Sequence, residues 1–316
     1  MVRINLRRQN PSKRSPWIFR ASLLLSVLLL GHLSGAHEMI IGGEIAKVAE
    51  FPGVVLLKMS ESGGVGAMGW EGSCTGFLVH PKLILTAAHC LQGHTHIDSI
   101  SNGVKGSGKD SAKFREDEIN SRPDFVLPSS DRTDAQRKEA ASKDIGYVVL
   151  REEIPADVIA PIEIYVTSDS PSMNRLANLD ATLVGYGATR WEKSGNYEGA
   201  STGTKKIGHK KITDFENGFI RLAGAEGGAL PGDSGGPILA TIDGKLKVVA
   251  LNHGMTPEQK QKTDKHGNPK FDKKGAPIME LTGNYGATIG TMLTKDNLCW
   301  VERTAKIDLP GVECAN

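Results

Sequence analysis

The sequence predicts an all-β fold, a sandwich or a barrel, and three observations predict it. Apolar runs are short, strand-length and separated by turn residues. Glycine is abundant at 37 residues while aromatics make up 5%, which suits a turn-rich β protein better than a helical bundle. No long stretch with helical period occurs before about Lys295–Ala305. With 316 residues, the chain is long enough for one large domain or two medium ones.

The expected strands, in order, are Val54–Leu57, Gly76–Val79, Leu83–Leu85, Ile145–Leu150, Thr182–Tyr186, Gly218–Leu222, Pro237–Ala240, Leu246–Leu251 and Ala287–Leu293. Pro155, Pro161 and Pro171 mark Ile154–Pro171 as a connection between two halves. Two polar inserts read as solvated surface loops. Ser101–Lys143 is rich in Ser, Asp, Lys and Gly apart from Pro123–Leu127. Thr256–Ala276 has six lysines against three acids. The second insert has an alternative reading, that it borders a binding cleft.

Composition removes several classes of protein. With 39% apolar residues, 23% charged residues and a net charge of +2, the chain is neither disordered nor a general nucleic-acid binder. Four cysteines are too few for a small disulfide scaffold.

Residues 1–20 carry several Lys and Arg and no acid, and the apolar run Ala21–Leu33 and the small residues Ser34-Gly35-Ala36 follow. This order describes a secretory signal peptide over residues 1–36. A membrane anchor needs about 20 apolar residues, and this run is shorter and contains His32. Arg7-Arg8 raises a twin-arginine route, which the flanking residues fit poorly. The mature protein is expected to be soluble, secreted or periplasmic, with oxidised cysteines.

Chemistry concentrates in three segments. Gly232-Asp233-Ser234-Gly235-Gly236-Pro237 offers an exposed serine hydroxyl flanked by glycines, so that backbone N–H groups can approach a developing oxyanion. Leu85-Thr86-Ala87-Ala88-His89-Cys90 places a histidine at a strand end, where it can act as general base. Asp144–Leu150 sets an acid at the head of an apolar strand. Alone, each has a bland reading as a turn or structural residue. Their joint occurrence in the order His, Asp, Ser carries the argument.

These segments resemble the chymotrypsin-like (trypsin-fold) serine endopeptidases. Ile40-Ile41-Gly42-Gly43 is similar to the mature N-terminus of that family, Thr86–Cys90 to its histidine motif, Asp144–Leu150 to its aspartate motif and Gly232–Pro237 to its serine motif. Arg122-Pro123-Asp124-Phe125, Gly185-Tyr186-Gly187 and the glycine-rich Leu222–Leu230 are weaker matches, and the resemblance runs from Ile40 to about Ala305. It implies two antiparallel six-stranded β-barrels, about residues 40–155 and 172–316, with the site between them and a C-terminal helix. It also implies catalytic roles for His89, Asp144 and Ser234, and an oxyanion hole from the N–H groups of Gly232 and Ser234.

The resemblance further implies that a cut frees the α-amino group of Ile40 to pair with Asp233. Signal removal after Ala36 would leave a short activation peptide, residues 37–39, ending in Met39 rather than Arg or Lys. A second cut, by the enzyme itself or another protease, is therefore expected.

The substrate pocket departs from the family pattern. Gly228 stands where trypsin-like members carry an aspartate, and Leu230 where a cysteine is usual. The wall strand reads Asn252-His253-Gly254, with Asn252 and His253 in place of Ser-Trp. An uncharged floor disfavours Arg or Lys before the scissile bond. A small or medium apolar residue is expected, and the alternative is an acidic one read by His253 and the insert lysines, as in glutamyl endopeptidases.

Four cysteines allow three connectivities. A Cys74–Cys90 bridge would hold the loop carrying His89 and leave Cys299 to pair with Cys314, tying the tail to the C-terminal helix. The rival class is a catalytically silent binding protein of the same fold, but His89, Asp144, Ser234 and their glycines are all present. No cofactor and no metal is expected, since His94 and His96 sit in a polar loop. The expected partner is a peptide or protein substrate. No nucleic acid and no stable membrane insertion are expected, and the mature chain is expected to be a monomer.

Overall fold

The apolar runs become strands because each finds a buried face in one of two antiparallel sheets. The computed structural model describes residues 40, 43–59, 72–106, 108, 111–127, 134–188, 190–191, 197–198, 203–216, 218–223, 228–272, 275 and 277–314. The expected signal peptide (1–36), the activation peptide (37–39) and part of the glycine-rich 222–230 stretch lie outside these residues.

The strands are, in chain order, β1 (Glu44–Ile45), β2 (Val54–Met59), β3 (Gly72–His80), β4 (Leu83–Thr86), β5 (Ser99–Ser101), β6 (Lys113–Phe114), β7 (Glu116–Ser121), β8 (Gly146–Leu150), β9 (Asp180–Gly185), β10 (Arg190–Trp191), β11 (Tyr197–Glu198), β12 (Lys206–Glu216), β13 (Phe219–Ala223), β14 (Pro237–Ile242), β15 (Lys245–Gln261) and β16 (Met279–Met292). The helices are α1 (Ala88–Leu91), α2 (Asp134–Ser142), α3 (Ser170–Asn174) and α4 (Lys295–Ala305).

The first sheet has the order β6-β5-β2-β3-β4-β8-β7 and is nearly closed. Strands β4 and β8 are buried at every position, which is why both read as unbroken apolar runs. In the second sheet β9, β12, β13, β16, β15 and β14 pair in sequence, and β9 pairs with both β14 and β12. That ring closes the barrel and removes its edges. The two-barrel expectation therefore holds, with short edge strands added to each six-strand set. β10 and β11 form a separate pair.

Two placements differ from expectation. Residues near the start were assigned to the first barrel, but β1 pairs with β12 of the second, Glu44 opposite Ile207 and Ile45 opposite Lys206. Both inserts are structured rather than plain loops. Residues 101–143 hold β6, β7 and α2, and β7 pairs with β8. In the lysine-rich insert β15 and β16 continue as a ladder as far as Gln261 opposite Met279, followed by the bridges Thr263–Pro269 and Phe271–Pro277. Backbone pairing runs across the insert along this hairpin arm.

Helix α4 has the bounds the sequence predicts. Thr294 caps it by accepting from the Asn297 N–H at 3.2 Å, and Lys306 ends it in the left-handed region at φ 56°. Its Asn297 side chain donates to the carbonyls of Ser142 and Met292 at 3.0 Å each. That amide anchors the approach to Asp144, which lies two residues past Ser142. Arg122 reinforces the anchor, reaching Asn297 Oδ1 at 2.5 Å, Asp124 at 2.7 Å and Asp296 at 2.6 Å. Disulfides join Cys74 to Cys90 and Cys299 to Cys314.

Candidate active site

Strand β4 delivers the chain into the short helix α1, and His89 is its second residue. Asp144 sits just before β8, the neighbour of β4, so the β4–β8 ladder brings the two residues together. Asp144 is fully buried. Its Oδ1 accepts the His89 backbone N–H at 2.8 Å, and its Oδ2 lies 2.6 Å from His89 Nδ1.

The same Oδ2 lies 2.5 Å from Nδ1 of His253, and the two imidazole rings meet edge to face at 5.8 Å between centroids. Sequence reading placed His253 on the pocket wall, and the structure puts it on Asp144. A bulge between Asn252 and Gly254 in the β15–β16 ladder accounts for the change of aim.

Burial opposes charge on Asp144, but the charge on His89 and the hydrogen bonds from His253 and His89 outweigh it. The carboxyl is held well below the ordinary carboxylate range. An ionised carboxylate only accepts, so both rings donate from Nδ1 and His89 Nε2 is left as a proton acceptor. Burial likewise lowers the His89 pKa, and the charge and hydrogen bond of Asp144 reverse this and raise it.

Ser234 is placed by its backbone. Its carbonyl accepts from the Thr75 N–H at 2.8 Å, on the strand that carries Cys74. The Thr75 hydroxyl donates to the Gly232 carbonyl at 2.8 Å and accepts from the Tyr186 N–H at 3.1 Å. The Thr75 carbonyl accepts from the Thr86 hydroxyl at 2.8 Å. One buried threonine thus ties the serine turn, the histidine strand and the second sheet together. Sequence reading missed it, although its position next to Cys74 is a signal.

The turn itself needs glycine at 235. Its φ is 79°, and a Cβ there would meet Thr86 Oγ1 at 2.1 Å and the Thr75 carbonyl at 2.4 Å. No side chain can occupy that position without moving both strands.

A family model described as Trypsin matches residues 40–269. The chain belongs to the trypsin family. Among curated relatives, the thrombin-like enzyme flavoxobin of Protobothrops flavoviridis is 26% identical over 176 residues, which cover 54% of this chain and 57% of that protein. The aligned part thus spans a little over half the length of that relative.

Four further expected positions of this trypsin-family chain are described. Asp233 is buried, its Oδ1 accepting from the Gly187 N–H at 2.7 Å and its Oδ2 from the Leu230 N–H at 2.9 Å. Burial pushes its pKa up to about 6 against the pull of those hydrogen bonds and of Lys206. Asn252 is buried with its backbone N–H on the Gly236 carbonyl at 2.8 Å, while its side-chain amide has no hydrogen-bond partner among the described residues. Gly228 is buried and Ile40 is almost wholly so.

His89, Asp144 and His253 set their ligand atoms within 4.8 Å of one another, a spacing that could hold a metal ion. Those atoms are already engaged with one another by hydrogen bonds. Among the described residues no helix is long and apolar enough to cross a membrane.

Proposed function

We propose that the chain is a secreted or periplasmic serine endopeptidase that hydrolyses peptide bonds through an acyl-enzyme. Ser234 Oγ attacks the scissile carbonyl while His89 takes its proton and later delivers it to the leaving amine. Asp144 holds the His89 ring in the Nδ1–H tautomer and stabilises the imidazolium. The N–H groups of Gly232 and Ser234 receive the oxyanion. The observation that carries the reading is the fully buried Asp144 bonded to both the backbone N–H and Nδ1 of His89.

For specificity, the reading is a small or medium apolar residue before the scissile bond. Gly228 offers no charge to Arg or Lys, and His253 Nδ1 is committed to Asp144 rather than free for an acidic side chain. Turnover of a peptide library, compared between wild type and Ser234→Ala, tests both claims. Cleavage after apolar residues by wild type alone is expected. Cleavage only after Glu restores the glutamyl alternative, and absence of cleavage favours the silent binding protein.

A further inference from the structure

The hairpin arm of residues 256–276 plays no part in the triad, and it gathers positive charge. It holds six lysines against three acids. All 36 Asp and Glu of the chain lie in residues 37–316, together with 32 of its 38 Lys and Arg. Outside the arm those residues carry an excess of acid, so the basic arm projects from an acidic body.

The tip of the arm is built by backbone bonds among three segments. The Lys262 N–H donates to the Ile278 carbonyl at 2.7 Å, the Lys270 N–H to the Lys262 carbonyl at 2.8 Å, and the Ile278 N–H to the Lys270 carbonyl at 2.9 Å. Asp264 Oδ1 accepts from the N–H groups of His266 and Asn268 at 2.7 and 3.0 Å, so this acid serves its own turn. Lys262, Lys265 and Lys270 are exposed, and none has an ion-pair partner among the described residues. Phe271, 55% exposed, and Ile278 add apolar surface at the same tip.

The root of the arm is bonded to the serine turn. The Gly235 N–H donates to the Asn252 carbonyl at 2.7 Å, and the Asn252 N–H to the Gly236 carbonyl at 2.8 Å. From His253 the chain runs out along β15 to Lys262, and at roughly 3.3 Å per residue the tip stands up to about 30 Å from the root. A peptide extended from Ser234 covers that distance in about nine residues.

We infer that the arm is a docking surface for an acidic stretch of the protein substrate, lying within about ten residues of the scissile bond. The charge pattern selects this occupant. A bilayer or a nucleic acid presents anionic surface to the body and the arm together, and the acidic body repels it. A short acidic stretch of peptide meets the arm alone, and its own apolar side chains can cover Phe271 and Ile278. The inference rests on the endopeptidase reading and adds a second contact remote from the pocket.

The test uses two fluorescent peptides that share one cleavable core and a spacer of about ten residues. One ends in a run of glutamates and the other in a run of glutamines, with the tail on either side of the core. Binding to the full chain carrying Ser234→Ala is read by anisotropy. A preference of about ten-fold for the glutamate tail is expected, the scale of three exposed ion pairs. It should vanish in about 1 M salt, where charges are screened within about 3 Å. Adding Lys262→Gln, Lys265→Gln and Lys270→Gln should abolish the preference, and the matching Glu substitutions should transfer it to a lysine tail. With Ser234 intact, the preference should enter kcat/KM through KM.

Equal binding of the two peptides by Ser234→Ala overturns the inference, as does a preference that survives the three substitutions in folded protein. Should the triple variant fail to fold by circular dichroism, the three single variants carry the same comparison. Capture of phosphatidylserine vesicles, or salt-sensitive self-association, without a peptide preference gives the arm a different partner and overturns it too. An intact binding preference with no turnover of either peptide by wild type removes the endopeptidase reading alone.

Discussion

His253 and His89 share one oxygen: Asp144 Oδ2 lies 2.5 Å from Nδ1 of the first and 2.6 Å from Nδ1 of the second. A carboxylate divided between two donors gives less to each. Removing His253 therefore strengthens the hold of Asp144 on His89, whether the lost ring is neutral or cationic. The acid limb of the kcat/KM profile is expected to move to higher pH in His253→Ala. A shift of about one unit corresponds to about 1.4 kcal/mol. An unmoved or lowered limb contradicts the shared-oxygen account.

The raised pKa of His89 places the acid limb of wild type above 6.5, since only the neutral ring accepts the serine proton. Asp144→Asn removes the charge and favours the wrong tautomer. Turnover is expected to fall by about 10⁴, with the fold retained by circular dichroism. Turnover within ten-fold of wild type, roughly 1.4 kcal/mol, would place the general base elsewhere.

Asp233 makes a prediction about stability. Its folded pKa of about 6 lies above the ordinary 3.8, so the folded state holds the proton more tightly. The resulting stabilisation is complete below 3.8 and is lost as pH rises through about 6. In an uncut Ser234→Ala chain, unfolding free energy should fall by up to about 3 kcal/mol across that window. Exposing Ile40 should flatten the slope, because a nearby ammonium lowers the Asp233 pKa. Equal slopes before and after the cut would show that the new terminus does not reach Asp233.

Gly235→Ala is expected to destabilise the fold by several kcal/mol, about 3 or more from the positive φ and the overpacking together. Its Cβ would lie within 2.1 Å of Thr86 Oγ1. Denaturant unfolding measures this, and a change below about 0.5 kcal/mol would mean the serine turn can relax away from Thr75 and Thr86.

The Cys299–Cys314 bridge closes a short loop over α4, far in sequence from His89, Asp144 and Ser234. The double variant Cys299→Ala, Cys314→Ala is expected to lose about 2–4 kcal/mol of stability while its serine still labels. Loss of labelling in a variant that remains folded would instead tie the tail to the active site.

The pairing of His89 with Asp144 was legible because both residues stand at the ends of apolar strands that pair with each other, and α4 because its period and cap are local. What escaped the sequence has physical reasons. Strand β12 went unread because its inward positions include Lys206 and Lys210, and a buried lysine breaks the apolar alternation that marks a strand. The role of His253 escaped because a bulge re-aims the side chain, and register irregularities leave no local signature. The hairpin arm of residues 256–276 escaped because ladder hydrogen bonds sustain it with little apolar content. Thr75 escaped because a threonine within a strand gives no local sign of the distant groups that its hydroxyl and backbone meet.

The central claim is an activated Ser234, and mass spectrometry after fluorophosphonate treatment tests it most directly. A single adduct on the wild-type chain, mapped to the peptide holding Ser234 and absent from Ser234→Ala, is the expected result. An unmodified wild-type chain, or an adduct on another residue that persists in Ser234→Ala, contradicts the account.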